Sequence, residues 1–232
     1  MTWAERAANA SRLGAVLDPA DADGAKNAYI DALHAHVVGR LLRKAGPYAH
    51  ALDFGCGTGR FLPRLARFAR VVSGVDRTSE MLALARAHSP NADLALCSAG
   101  DLPFAAASFD LTLCVYVLSM LDAAEFDAAM AQIARVNAPG GTLIAIEQLD
   151  NGRALDEEAY RSRFLRHGFH IASMHPVRDG SGSGWMTLAR RFRFAIPLFA
   201  RIEAAQMHGR RHGPQTPGYF DYAIVARKNA AG

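Results

Sequence analysis

The stretch from Ala51 to Phe61, ALDFGCGTGRF, constrains the fold of this chain more than any other. A short apolar run over 51–54 is followed at once by glycines at alternate positions, Gly55, Gly57 and Gly59. The run has the length of a buried strand, and residues 60–70 then repeat apolar side chains at helical spacing. A strand, a glycine turn and a helix in succession bring backbone N–H groups to a ligand in α/β proteins. The stretch therefore predicts an α/β fold with a ligand site at the glycine turn.

A carboxylate beside the glycines narrows the class of ligand. Dinucleotide-binding turns follow the spacing G-x-G-x-x-G, whereas this chain has G-x-G-x-G with Asp53 two residues before the first glycine. A pyrophosphate on this turn would be repelled by Asp53 at short range, whereas an ammonium group would be attracted. S-adenosylmethionine (SAM) carries an ammonium group and no phosphate. The residues therefore favour SAM, and a dinucleotide-dependent oxidoreductase is the least favoured class.

The segment from Asp53 to Gly59, DFGCGTG, resembles the first motif of the class I SAM-dependent methyltransferases. The resemblance covers about residues 49–148, because VVSGVD, SAGDLPF, FDLTLCVYV and RVNAPGGTLIAIEQ follow in the family's order. It implies a three-layer, Rossmann-like α/β fold with a seven-stranded, mostly parallel sheet. In that fold the last strand is antiparallel and lies between the fifth and the sixth.

The resemblance also implies a set of cofactor-binding residues. Asp76, at the tip of the second strand, takes the family's position for the acid that binds both ribose hydroxyls, and Met81 takes that of the methionine beside the adenine. Ser98 stands where the family has an aspartate for the adenine amino group, which shifts adenine recognition towards the Ala99 backbone. The full predicted set is Asp53, Gly55, Cys56, Gly57, Gly59, Asp76, Arg77, Met81, Ser98, Ala99, Cys114 and Tyr116.

Hydrophobic periodicity extends the prediction along the chain as a single methyltransferase domain over residues 1–232. An N-terminal helical cover (1–45) precedes a SAM-binding core (46–150), and C-terminal strands (151–232) contain a basic insert (180–216). The patterns predict strands over 51–54, 71–76, 93–97, 109–117, 142–148, 169–177 and 219–228, with helices over 27–42, 60–70, 122–135 and 156–167.

Neither a metal site nor a catalytic base is assigned from the sequence. The three cysteines, Cys56, Cys97 and Cys114, form no CxxC pair, so neither a zinc site nor a disulfide framework is predicted. Methyl transfer from a sulfonium needs alignment of the reacting atoms, and needs a base only for some acceptors. The candidate bases, none of them chosen, are His34, His175, Asp179, His208 and His212.

Charge is unevenly distributed, and this bears on the substrate. Residues 1–150 carry 13 Lys and Arg against 16 Asp and Glu, whereas residues 151–232 carry 13 against 6. The basic insert interleaves arginines with apolar side chains and contains Glu203 as its one acid. Four interpretations stay open: a substrate lid that holds an acidic group, a membrane or glycolipid contact, a nucleic-acid contact, and a solvated helix face.

Together these observations predict transfer of a methyl group from SAM to an oxygen or nitrogen of a small metabolite, sugar or glycolipid, with S-adenosylhomocysteine as product. The acceptor is expected to be a small or lipid-linked molecule, with an acidic group in the lid interpretation. A nucleic-acid methyltransferase and a non-catalytic SAM-binding module are the alternatives. No apolar run is long enough to span a membrane, and the N-terminus lacks the core of a signal peptide, so a cytoplasmic location is expected. The oligomeric state is not predicted.

Overall fold

A computed structural model describes residues 2–9, 12–150, 157–179, 184–208 and 219–230. The strands are β1 (Tyr48–Phe54), β2 (Ala69–Asp76), β3 (Asp93–Leu96), β4 (Phe109–Val115), β5 (Asn137–Asp150), β6 (Phe169–Asp179) and β7 (Tyr219–Lys228). The helices are α1 (Trp3–Asn9), α2 (Arg12–Val16), α3 (Ala25–Ala45), α4 (Leu62–Leu65), α5 (Ser79–His88), α6 (Ala123–Val136), α7 (Glu157–Arg166), α8 (Gly184–Arg191) and α9 (Ile196–His208). Short 3-10 turns lie at Leu118–Met120 and Arg193–Ala195.

The strands form one seven-stranded sheet in the order β3-β2-β1-β4-β5-β7-β6. The pairs among β1 to β5 are parallel, whereas β7 pairs antiparallel with both β5 and β6. The predicted class I fold, with an antiparallel last strand between the fifth and the sixth, is confirmed. The strand order changes direction once between β1 and β4. In open α/β sheets, ligands bind beyond the carboxyl ends of the strands at such a point.

Successive side chains of the central strands pack alternately into two separate hydrophobic cores, one on each face of the sheet. Leu52 and Leu143 face a core that α6 and α7 cover, whereas Ala51 and Ile144 face a core that α3, α8 and α9 cover. Burial of apolar surface on both faces is what makes these strands read as nearly continuous hydrophobic runs. The three predicted layers are therefore helices, sheet and helices.

Two predicted elements differ from the structure. The helix expected over 60–70 is only the single turn of α4, because the chain enters β2 at Ala69 and the carbonyl of Phe68 already accepts the amide of Tyr48, at 2.9 Å. The fifth strand, expected over 142–148, begins earlier, so Pro139, Gly140 and Gly141 lie inside β5. There the pairing with β4 shifts register between Phe109 and Leu111, and Gly140 has φ +74°.

The basic insert consists, in its described part, of α8 and α9, and the two helices pack on α3 and β6. Residues 180–183 and 209–216 of the insert lie outside the described residues. None of the described helices is both long and apolar enough to cross a membrane.

Candidate functional site

A cleft of about 260 Å³ opens at the carboxyl ends of β1, β2 and β4, where the strand order reverses. Its wall includes the glycine turn, the end of β2, the start of α5 and the loop after β4. Trp3 of α1 and Val16 of α2 also line it, so the N-terminal helices contact the same space. The cleft thus gathers residues that lie far apart in the sequence.

Most of the predicted cofactor residues lie on this wall. Those lining the cleft are Asp53, Gly55, Cys56, Gly57, Asp76, Arg77, Met81, Ser98, Ala99 and Tyr116. Gly59 and Cys114 do not line it. A Cβ on Gly59 would lie 3.1 Å from the Cα of Ala85, so this glycine allows the turn to approach α5. The Cys114 thiol is buried behind the wall, 3.5 Å from Glu147 Oε1.

Asp53 offers an unsatisfied acceptor at the end of β1. Its side chain is buried, and its Oδ2 atom has no hydrogen-bond partner among the described residues. Burial is the main cause that raises the pKa of Asp53, to about 7. The positive charge of Arg60 lowers this pKa, and the negative charge of Asp76 raises it. A buried carboxylate oxygen without a partner costs free energy, and an ammonium group would satisfy it. The residues of the cleft therefore fit the amino-acid end of SAM.

Asp76 is fixed in position by two backbone amides. Its Oδ2 accepts from Gly57 N at 2.8 Å, and its Oδ1 accepts from Thr78 N at 2.9 Å. Burial raises the pKa of Asp76, although both hydrogen bonds oppose this rise. Each carboxylate oxygen can accept more than one hydrogen bond, so both retain capacity for a ribose hydroxyl. Asp76 thus links the glycine turn to the predicted ribose position.

Glu147 positions the loop after β4. This fully buried carboxylate on β5 accepts from Leu118 N at 3.1 Å, from Ser119 N at 3.0 Å and from Ser119 Oγ at 2.7 Å. Burial raises its pKa, and these donors oppose the rise. The loop that Glu147 holds carries Val117, Met120 and Leu121, which form an apolar section of the cleft wall.

Tyr116 joins the cleft to a buried polar cluster. Its phenol donates to Asp221 Oδ2 at 2.6 Å, and Arg178 Nε donates to the same oxygen at 2.5 Å. Burial would raise the pKa of Asp221, but the hydrogen bond with His34 and the charge of Arg178 lower it to about 2. Burial raises the pKa of Tyr116, so the phenol stays protonated. Tyr116 has φ +57°, a left-handed conformation that the surrounding contacts must hold in place.

His34 completes this cluster from α3. Its Nε2 lies 3.3 Å from Asp221 Oδ2, and its Nδ1 lies 3.4 Å from Arg60 Nη2. A guanidinium can only donate, so Nδ1 is the acceptor and Nε2–H faces the carboxylate. Burial is the main cause that lowers the pKa of His34, which favours this neutral form.

None of the described candidate bases lines the cleft. His34, His175, Asp179 and His208 are absent from its described wall, and the rings of His175 and His208 contact each other with centroids 4.5 Å apart. His212 lies outside the described residues. No described side chain of the basic insert lines the cleft either, and the lid interpretation of the insert stays a prediction.

Sequence reasoning missed the residues that support the wall. Glu147, Arg178 and Asp221 each lie within a strand, and all three are buried. The available signal was a single charged residue inside an apolar strand pattern, as in TLIAIEQ and YFDYAIVA. Trp3, Val16 and Arg60 line the cleft as well and were not selected.

Comparisons with known proteins agree with this geometry. Residues 52–145 match the family model described as a methyltransferase domain. A ubiquinone/menaquinone biosynthesis C-methyltransferase of Rubrivivax gelatinosus is 38% identical over 112 residues, which are 47% of this chain and 43% of that protein. A malonyl-[acyl-carrier protein] O-methyltransferase of Erwinia pyrifoliae is 33% identical over 157 residues, 65% of this chain and 58% of that protein. The matches thus span about half the length of these curated relatives.

The fold extends beyond the matched sequence. The crystal structure of geranyl diphosphate C-methyltransferase from Streptomyces coelicolor, in complex with Mg²⁺, geranyl diphosphate and S-adenosyl-L-homocysteine, superposes with a TM-score of 0.64. The superposition covers 98% of both chains at 14% identity. At that identity the likeness concerns the fold alone.

Proposed function

Because residues 52–145 form a methyltransferase domain of the class I, Rossmann-like kind, we propose that this protein transfers a methyl group from SAM to a small or lipid-linked acceptor with an apolar body. The observation that carries the proposal is one continuous cleft. It joins the unsatisfied Asp53 and the strand-end Asp76 to an apolar section around Met120 and Leu121.

SAM, when bound, supplies an electrophilic methyl group, and the chain supplies placement. Asp53 would hold the ammonium group, Asp76 would accept the ribose hydroxyls, and Met81, Ser98 and Ala99 would bind the adenine. Tyr116, at the carboxyl end of β4, lines the same cleft. Alignment of the reacting atoms is the main requirement of such a displacement, so no general base is assigned.

The acceptor lies between Tyr116 and the apolar wall. Trp3, Val16, Val117 and Met120 contact its body, and the exposed fraction of Met120 is 60%, which leaves that end of the cleft open. The Tyr116 phenol donates to Asp221 and accepts from Arg178 Nη2 at 3.4 Å, so one lone pair of its oxygen can still accept an O–H or N–H from the acceptor. This favours an oxygen or nitrogen as the methylated atom, in a metabolite, sugar or glycolipid. Tyr116 is then a substrate-positioning residue.

Methyl-labelled SAM tests the proposal directly. The purified protein is incubated with label and an extract of the cells that encode it, and the products are separated into lipid-soluble, low-mass, nucleic-acid and protein fractions. Label is expected in the first two fractions. Tyr116→Phe should slow transfer about tenfold or more, within the range for a lost positioning contact, and leave the Kd of S-adenosylhomocysteine unchanged. Tyr160→Phe, which removes a buried hydroxyl outside the cleft, is the matched control.

Other outcomes would change the proposal in defined ways. Label in nuclease-sensitive material would favour a nucleic-acid methyltransferase. Label on a carbon atom would overturn the choice of oxygen or nitrogen. Binding of S-adenosylhomocysteine without transfer to any fraction would favour a SAM-binding module.

A further inference from the structure

The junction of α8 and α9 exposes a group of large apolar side chains. The exposed fractions are 40% for Leu188, 43% for Phe192, 87% for Phe194 and 55% for Leu198, and we call these four residues the junction patch. The rings of Phe192 and Phe194 contact each other with centroids 6.3 Å apart. Isolated exposed apolar residues are ordinary, but several within one short segment mark an interaction surface.

The junction patch is distinct from the face by which these helices pack on the protein. Ala189, Ile196 and Ala200 are buried in the core shared with α3, and Glu203 hydrogen-bonds the Tyr29 phenol on α3. The helices therefore already have a buried face. The junction patch lies on the side that this packing leaves open.

Arginines accompany the junction patch. Arg190, Arg191, Arg193 and Arg201 are all exposed. The one acid on α8 and α9, Glu203, is buried. Arg193 pairs with Asp23 at 3.7 Å, and the charge of Arg190 also acts on Asp23. The surface is therefore positively charged around an apolar centre.

We propose that the junction patch and its arginines dock this protein on an anionic lipid membrane. Phe192 and Phe194 enter the boundary between headgroups and acyl chains, and the arginines contact lipid phosphates. A nucleic acid would satisfy the arginines and could stack on the phenylalanines, but it offers nothing to Leu188 and Leu198. Attachment is peripheral, and it does not depend on the proposed methyl transfer.

Co-sedimentation with vesicles tests the docking. The full chain is mixed with vesicles of phosphatidylcholine alone or with phosphatidylglycerol added. It should sediment with the anionic vesicles only, and added salt should release it. The double variants Phe192→Ser/Phe194→Ser and Arg190→Glu/Arg191→Glu should each abolish sedimentation. Each arginine lost should weaken partition about fivefold.

Matched variants on other surfaces control for hydrophobicity and charge. Leu165→Ser removes an exposed apolar side chain on α7, and Arg67→Glu/Arg70→Glu reverses two exposed charges near the start of β2. Both should sediment like the wild type, and all variants should keep its thermal unfolding midpoint.

Three results would overturn the proposal. One is equal binding to neutral and anionic vesicles, or equal losses in the control variants. Another is that the wild type binds RNA and no vesicles, and that Arg190→Glu/Arg191→Glu loses this RNA binding. The third is a change of oligomeric state in Phe192→Ser/Phe194→Ser, which would make the junction patch an interface between copies of this chain.

Discussion

Asp76 is the side chain on which the adenosine end of the site depends. Asp76→Ala should weaken binding of S-adenosylhomocysteine by roughly 1.5–3 kcal/mol, the range for hydrogen bonds to a charged group. The variant also releases Gly57 N, so part of the loss reflects a less ordered glycine turn. Isothermal titration calorimetry measures the change. Asp93→Ala, an exposed acid on β3, should bind like the wild type, and equal affinity for Asp76→Ala would remove Asp76 from the ribose role.

Asp53 makes cofactor affinity depend on pH. Burial raises its pKa to about 7 without ligand, whereas an ammonium ligand binds the ionised carboxylate. The Kd of S-adenosylhomocysteine should therefore rise about tenfold for each pH unit between pH 7 and pH 5. The stability of the ligand-free protein should depend on pH in the opposite direction. Because the pKa of Asp53 is raised, its contribution to the free energy of unfolding is present at low pH and is lost as pH rises through about 7.

Asp53→Asn is the control for this pH dependence. Its amide cannot titrate, so its affinity should be weak and nearly constant between pH 5 and pH 7. Fluorescence or calorimetric titrations at several pH values measure both proteins. A wild-type Kd that does not change with pH would separate Asp53 from the ammonium group.

Single side chains also show the limits of the sequence. Asp53 and Asp76 were predicted because each ends an apolar strand at a known motif position. Asp221 and Arg178 belong to no motif, and they meet His34 and Tyr116 only after three strands and a helix have packed. Contacts between residues more than a hundred positions apart follow from tertiary packing, which local patterns do not contain.

Among the secondary-structure elements, the glycine turn packs tightly on α5. Gly59→Ala should destabilise the protein, because a Cβ there would lie 2.9 Å from Leu62 Cδ1 and 3.1 Å from the Ala85 backbone. Gly140→Ala is a matched control with the same φ of +74° and nothing within 4 Å of its Cβ. Urea unfolding should show a loss of about 1–2 kcal/mol for Gly140→Ala and about 1–3 kcal/mol more for Gly59→Ala. Equal losses would show that only backbone strain matters.

Asp221 ties β7 to β6, to α3 and to the end of β4. Asp221→Asn removes the negative charge that faces the buried Arg178 guanidinium and should lower the free energy of unfolding at pH 7 by about 3–5 kcal/mol. Because the pKa of Asp221 is lowered to about 2, its contribution is present above about pH 4 and is lost towards pH 2. Urea unfolding at pH 7 measures the loss, with Asp101→Asn, an exposed acid, as control. A loss no larger than that of the control would contradict this role.

A helix or strand could be predicted from the sequence where its apolar pattern alone determines its extent. The seventh strand was predicted over 219–228 and is observed there, since apolar residues dominate its length. The helix over 60–70 was wrong because its apolar spacing reflects burial of Phe61, Leu62 and Leu65, which one helical turn achieves. The length of α4 is limited by the start of β2 at Ala69, and the spacing of apolar residues does not show where that strand begins.

For the chain as a whole, the central claim is that the cleft is a site for SAM and not for a dinucleotide. Calorimetric titration of the full chain with S-adenosylhomocysteine and, separately, with NAD⁺ tests this claim most directly. We predict one binding site per chain for S-adenosylhomocysteine and no measurable heat with NAD⁺ at the same concentrations. Tighter binding of NAD⁺ than of S-adenosylhomocysteine would contradict the account.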